Sequence, residues 1–425
     1  MKRQIKILIA ILLIVSTLSL SSCYISDLGI TLPSGNGDDG TSTGNQTGKD
    51  TYINVEGGDN LEITINSNSS VEIMAAAKSL LSSVSVIATF EANETSFGRP
   101  TGQTTQYRSA GSGVIYKLDK NAGDAYIITN YHVVYDSSSN THNKISNDIQ
   151  IFLYGKQHSR YKINAEYIGG SMNYDLAVLK VDASTVLMES EATAVKIADS
   201  DKVSVLETAI AIGNPEGNGI SATVGHVNVD SEYISMLGAD NSTAVEYRVM
   251  RVDTAVNSGN SGGGLFNAEG DLIGIVNAKM SDSTVDNIGY AIPSNVVKGV
   301  ADNIIYYCDG TEKECVYRCM MGITVESKSS TAKYDTETGK VHIIEEIAVA
   351  ELQLNSFAKG YLQVGDVIKS VAVDGVKCSV TRIHNVVDSM LNARVGSRVV
   401  ITIVRDGAKK EVTIPIVAGM LTEYK

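Results

Sequence analysis

The chain has 425 residues, long enough for two or three domains of ordinary size. Hydrophobic residues at 43% and charged residues at 20% are close to globular usage, which excludes a wholly disordered, collagenous or multi-span membrane chain. With 35 Lys and Arg against 48 Asp and Glu the net charge is -13, so the chain repels phosphate backbones and no nucleic-acid partner is expected; 38 Gly, no Trp and five Cys predict many turns between short strands.

The first 22 residues read as an export signal. Lys2, Arg3 and Lys6 precede an apolar run from Ile7 to Val15, followed by small and hydroxyl residues up to Leu20-Ser21-Ser22-Cys23. Those last four residues resemble the lipobox of bacterial lipoproteins, which implies that Cys23 is acylated and anchors an extracytoplasmic product to the lipid membrane. Removing residues 1–22 takes away three basic side chains and no acidic one, so the product is more acidic still. Residues 23–70 follow as a tether. Pro33 to Asp50 holds almost nothing but Gly, Ser, Thr, Asn and Asp, and the 27 residues from Tyr24 to Asp50, as a Gly-rich coil, reach about 30 Å from the anchor. Val71, Met74, Ala77, Lys78 and Leu81 then fit a short amphipathic helix.

From Val84 onward short strands carry the chemistry. The strand-like run Ala125-Tyr126-Ile127-Ile128 leads into Thr129-Asn130-Tyr131-His132, which places a histidine where the chain leaves a sheet. Asp175 heads a second, buried-type strand, Leu176 to Val181. Ser261 sits between glycines in Asn257-Ser258-Gly259-Asn260-Ser261-Gly262-Gly263. A serine hydroxyl is a poor nucleophile at neutral pH. Acyl transfer needs a base within hydrogen-bond reach and a third group fixing that base's tautomer. The three segments supply these residue types in the order His, Asp, Ser, and the glycines let the amides of Gly259 and Ser261 converge on one oxyanion.

These residues resemble the HtrA (Deg) family of trypsin-fold serine endopeptidases. Gly111-Ser112-Gly113-Val114-Ile115, Ala211-Ile212-Gly213-Asn214-Pro215, Ser221-Ala222-Thr223-Val224-Gly225 and Ile288-Gly289-Tyr290-Ala291-Ile292-Pro293-Ser294-Asn295 extend the likeness. The resemblance implies a mainly β fold, two six-stranded β-barrels over residues 71–305, with His132, Asp175 and Ser261 facing one cleft. Ser258 and Gly264 depart from the family by standing where prolines usually flank the nucleophile motif, and Tyr131 stands where Asn is common. In the trypsin fold the residue six before the nucleophile lies at the base of the substrate pocket. Here it is Ala255, and the apolar run with Ile275, Val276 and Asn277 is expected on the pocket wall, so the preferred side chain is small and aliphatic.

Residues 315–425 resemble a PDZ domain of the α+β class. Gly360 to Ile368 matches the shared turn and strand; Ile383, Val386, Val387, Met390 and Leu391 repeat at helical spacing; and Asp406-Gly407 joins a last pair of strands. Met320, Met321, Gly322 and Ile323 resemble the family's carboxylate-binding loop, with Met320 and Met321 alternatively plain core. Cys308, Cys315, Cys319 and Cys378 are compatible with a short-range bridge or with free thiols. Their spacing is not that of a zinc site, and no metal or cofactor is expected. His142, His158, His226, His342 and His384 lack partner motifs and are expected at the surface or in loops. The family resemblance implies unfolded or damaged exported proteins as substrates and a homotrimer or larger homo-oligomer. A proteolytically silent chaperone or adaptor, or a peptide-binding lipoprotein, is the competing reading.

Overall fold

The structure, a computed structural model, describes residues 51–52, 64–65, 71–96, 99–141, 143–156, 159–214, 219–257, 259–277, 288–307 and 316–424. The signal segment, Cys23, most of the tether, Ser258, Lys279, Met280, Cys308, Cys315, His142 and His158 lie outside the described residues. The expected amphipathic helix is α1 (Val71–Leu80), which buries Ala75, Ala77 and Leu80.

The first six strands are β1 (Ser83–Ser96), β2 (Arg99–Asp119), β3 (Asp124–Thr129), β4 (Asp148–Leu153), β5 (Ile163–Ser171) and β6 (Leu176–Val181). They close into an antiparallel barrel in the order β1-β2-β3-β6-β5-β4. Its interior is the cluster of Val84, Val86, Ile115, Ile127, Ile151 and Leu179. Between β3 and β6 the register pairs Ile128 with Val178 and Thr129 with Ala177. Antiparallel pairing thus sets the end of β3 beside the start of β6, which brings together two segments more than forty residues apart in sequence.

The second barrel is built from β7 (Thr208–Gly213), β8 (Ser221–Leu237), β9 (Ala244–Val252), β10 (Gly264–Phe266), β11 (Leu272–Val276) and β12 (Gly289–Pro293), in the order β8-β9-β12-β11-β10-β7. Ala211, Val227, Met250, Leu265, Ile273 and Val276 fill it. Strands such as β6 and β11 read as nearly continuous apolar runs because both faces are covered: one faces a barrel interior, the other the shared core between barrels. That shared core includes Ile128, Leu176 and Val178 of the first barrel, Ile212, Phe266 and Ile275 of the second, and Val296, Val300 and Ile304 of α3 (Ser294–Tyr307).

A third, β-rich part follows. β13 (Val316–Cys319) leads to a sheet ordered β14-β15-β16-β18-β19, formed by Ile323–Tyr334, Val341–Leu352, Val367–Val373, Arg398–Arg405 and Ala408–Pro415, with β17 (Val376–Ser379) paired to β16. The helix α4 (Ile383–Ser389) packs on this sheet, and its core holds Ile347, Val349, Ile368, Val371, Val386, Ile401 and Ile403. The final strand β20 (Leu421–Tyr424) returns to pair with β13. The joint with α3 includes a buried polar contact. Buried Asn303 donates to the carbonyls of Tyr317 (2.7 Å) and Leu391 (3.1 Å) and accepts from the Tyr317 amide (2.9 Å). Beside it a Cβ on Gly299 would meet the Leu391 side chain at 2.9 Å. Among the described residues no helix is long and apolar enough to cross a membrane.

Candidate active site

His132 lies on a one-turn helix, α2 (Tyr131–Val134), immediately after β3, and Asp175 occupies the turn before β6. Asp175 Oδ2 lies 2.7 Å from His132 Nδ1, and Oδ1 accepts from the His132 amide at 3.0 Å. A carboxylate only accepts, so Nδ1 carries the proton and Nε2 keeps its lone pair. Asp175 has φ 49, in the left-handed region that Asp tolerates better than most side chains. Its carbonyl accepts from Asn130 Nδ2 at 2.8 Å, which fastens the turn from the histidine side.

A third donor reaches the carboxylate from the second barrel. Asn277 Nδ2 donates to Asp175 Oδ2 at 2.8 Å and to the Tyr247 hydroxyl at 2.7 Å. Burial pushes the Tyr247 phenol well above its ordinary range, the Asp175 charge adds to that, and the Asn277 bond opposes it; Tyr247 is a neutral fixed dipole. The chain Tyr247–Asn277–Asp175–His132 therefore holds the carboxylate on two sides without placing a second charge beside it.

The segment bearing Ser261 is shaped by glycine and pinned by serine. Gly259 (φ 94) and Gly262 (φ 83) take a conformation costly for other residues, and a Cβ on Gly262 would fall on the Ser112 carbonyl and the Thr129 hydroxyl. Thr129 and Asn130 lead directly into α2, so the segment around Ser261 abuts the turn that carries His132. Ser112, on β2, donates through its amide to the Ser261 carbonyl (2.8 Å) and through Oγ to the Gly259 carbonyl (2.7 Å). Its Oγ also accepts from the Asn214 amide (2.7 Å). Among the described residues the amides of Gly259 and Ser261 have no acceptor. At Gly264, where the family usually has proline, a Cβ would run into the Phe266 ring.

Other sequence-based expectations are corrected. Ile275 and Val276 are fully buried, the first in the core between the barrels and the second inside the second barrel. Asn277 is 1% exposed and spends its amide on Asp175 and Tyr247. None of the three presents a side chain to a substrate; an apolar run in a strand covered on both faces is core. Ala255 is exposed, and its carbonyl accepts from Thr223 Oγ1 and Asn260 Nδ2. In the third part, the Met320 amide already donates to the Met420 carbonyl at 2.7 Å, and Met321 is core. Gly322 has φ 74, and Ile323 opens β14, an edge strand, opposite Leu352. His384 is buried, between Asp201 and Ser231, contrary to the expectation of a surface residue. Cys319 and Cys378 are free thiols, and burial pushes Cys319 up to about 11. Sequence reasoning quotes Ser112 only as part of a motif and misses the roles of Tyr247 and Asn277, because each role depends on a partner in the other barrel.

Residues 111–275 match the trypsin-like peptidase domain family. The serine protease Do-like HtrA of Lactococcus lactis subsp. cremoris (strain MG1363) is 30% identical over 387 residues, covering 86% of this chain and 87% of the relative. That of Lactococcus lactis subsp. lactis (strain IL1403) is 32% identical over 351 residues, covering 80% and 78%. A solved structure, HtrA-type protease AlgW with tripeptide, aligns with a TM-score of 0.48 at 24% identity over 82% of this chain and 96% of that one. Relatedness that spans most of both chains in the two lactococcal comparisons places this one in a single group: it belongs to the Do-like HtrA family of serine endopeptidases.

Proposed function

We propose that the chain cleaves unfolded or damaged exported proteins, with Ser261 as nucleophile, His132 as general base and acid, and Asp175 as the group that holds and charge-balances the imidazole. The observation that carries this reading is the 2.7 Å His132–Asp175 contact beside a Ser261 segment packed on the same turn. Ser261 Oγ attacks the scissile carbonyl while His132 Nε2 takes its proton. The amides of Gly259 and Ser261 receive the oxyanion, each such donor being worth about 3 to 4 kcal/mol in the transition state. The imidazolium then gives its proton to the leaving amine, and water completes hydrolysis of the acyl-enzyme by the same steps. Ser112 supplies through hydrogen bonds the stiffness that relatives obtain from flanking prolines, which favours a competent protease over a silent adaptor.

The finer assignments belong to the same reading. Residues 71–305 form the protease domain and residues 315–425 a PDZ domain, whose groove between β14 and α4 captures peptides with amides of the Met320 to Ile323 loop other than that of Met320. Ala255 at the pocket base favours small aliphatic side chains. Acylated Cys23 tethers a homo-oligomer outside the cytoplasm. Labelling with a serine-directed fluorophosphonate tests the core of the reading: the native chain is labelled and Ser261→Ala is not. Labelling of Ser261→Ala at the native rate overturns it.

A further inference from the structure

The residue before Asp175 is held by the far end of the chain. Tyr174 is buried, and its ring meets that of Tyr424 at 5.3 Å with an interplanar angle of 55°. Ser171, the last residue of β5, donates through Oγ to the Tyr424 carbonyl at 3.0 Å. Both ends of the turn between β5 and Asp175 are therefore fastened to β20. That strand is itself fixed, since Val316 and Tyr424 are register partners in the pairing with β13 and the Arg318 guanidinium lies 4.7 Å from the Tyr424 ring centre. The turn needs holding. Asp175 sits at φ 49, and its amide donates to Met172 at only 3.3 Å. A backbone outside its preferred region persists when its surroundings over-determine it.

We propose that Tyr424, with Ser171 and Tyr174, forms a positioning strap through which the carboxy-terminal strand sets the placement of Asp175 and hence the orientation of the His132 imidazole. The strap rests on the catalytic reading given above. Tyr424 touches no reacting atom; it acts through Asp175. Proton transfer from serine is sensitive to small displacements, because misplacement by about 1 Å costs on the order of a hundredfold in rate. Loosening a packed ring moves the turn by less than that, and a loss of about tenfold is expected.

The test uses the full chain and the second-order rate of fluorophosphonate labelling. Tyr424→Ala lowers the rate about tenfold, whereas Tyr424→Phe, which keeps the ring, restores it to within twofold. In an Asp175→Asn background Tyr424→Ala changes the residual rate by less than about twofold, because the route it acts through is already broken. Ser171→Ala, which removes one hydroxyl and no packing, lowers the rate two- to threefold or so and keeps the test open should Tyr424→Ala fail to fold. Equal losses in both backgrounds, or no loss for either Tyr424→Ala or Ser171→Ala, overturn the strap. Labelling that survives Ser261→Ala overturns the catalytic reading instead, so the two failures are distinguishable.

Discussion

Among the described residues, His132 pairs with Asp175 beside the Ser261 segment, and His384 lies between Asp201 and Ser231. In the first cluster, His132 Nδ1 stands 2.7 Å from Asp175, its side chain 18% exposed. In the second, where α4 meets the second barrel, His384 is 5% exposed and both ring nitrogens are engaged, Nε2 with Asp201 and Nδ1 with Ser231, each at 3.3 Å. Asp201 is further committed to Arg248 and to Asn385 Nδ2, and Arg248 also pairs with Asp388 at 2.7 Å. Burial raises the Asp201 carboxyl, but the His384 hydrogen bond and the Arg248 charge outweigh it and hold it below the ordinary range. The difference lies in engagement: among the described residues the amides of Gly259 and Ser261 beside the first cluster have no acceptor, whereas both His384 ring nitrogens in the second already have partners.

The comparison is broken most severely by exchanging serines. Ser261→Ala is expected to lower casein hydrolysis by a factor of about a million, leaving only what the oxyanion donors retain, whereas Ser231→Ala leaves turnover unchanged. Chromatography of casein fragments checks both, and loss of turnover in Ser231→Ala would mean that the two sites are not separable. Next come the carboxylates. Asp175→Asn is expected to cost about ten-thousandfold in kcat with folding intact, since the amide favours the wrong imidazole tautomer. Asp201→Ala, by contrast, takes a charged partner from His384 and Asn385 and leaves Arg248 with Asp388 alone, and it destabilises by about 2 kcal/mol, read as an earlier unfolding transition by calorimetry.

Smaller effects sharpen the distinction. Tyr247→Phe removes the hydroxyl that Asn277 donates to, and kcat is expected to fall about fivefold with KM for a small peptide unchanged, the scale of one hydrogen bond to a neutral partner. Unaltered kcat would make the Tyr247 contact incidental to Asp175. The weakest prediction concerns acid. Asp201 has a folded-state value below its ordinary 3.8, so the stability it contributes is complete above that value and is lost as pH falls through the lower, folded one. The native advantage in melting temperature over Asp201→Asn should thus be full above the ordinary carboxylate value and shrink as pH falls through the lower, folded one. A constant difference down to pH 2 would contradict this.

The segments proposed as catalytic were picked out in the sequence because each is local: a histidine after a strand, a carboxylate before one, a serine among glycines. The two barrels followed from family likeness rather than from periodicity. What sequence reasoning misplaced was decided by long-range packing. Ile275 and Val276 carry the same apolar character whether a strand lines a pocket or fills a core, and covered faces cannot be read from a run of β-branched residues. Asn277 needed Tyr247 and Asp175 to declare its role. His384 became buried only because α4 docks on the second barrel, and the chain offers no local sign of that docking.

The joint at Asn303 bears on how such a chain diversifies. Among the described residues its amide side chain engages main-chain groups, those of Tyr317 and Leu391, and Gly299 faces the apolar side chain of Leu391. The Asn303 contact therefore checks backbone shape and not residue identity, unlike the neighbouring stack of Arg394 on Tyr306 and Tyr307. A carboxy-terminal unit from a distant relative, recombined at this helix, would satisfy Asn303 as long as its first strand and the turn after its helix followed the same path. Such an exchange leaves Asn303 and Gly299 unchanged, provided that the new helix still offers partners to Asp201 and Arg248.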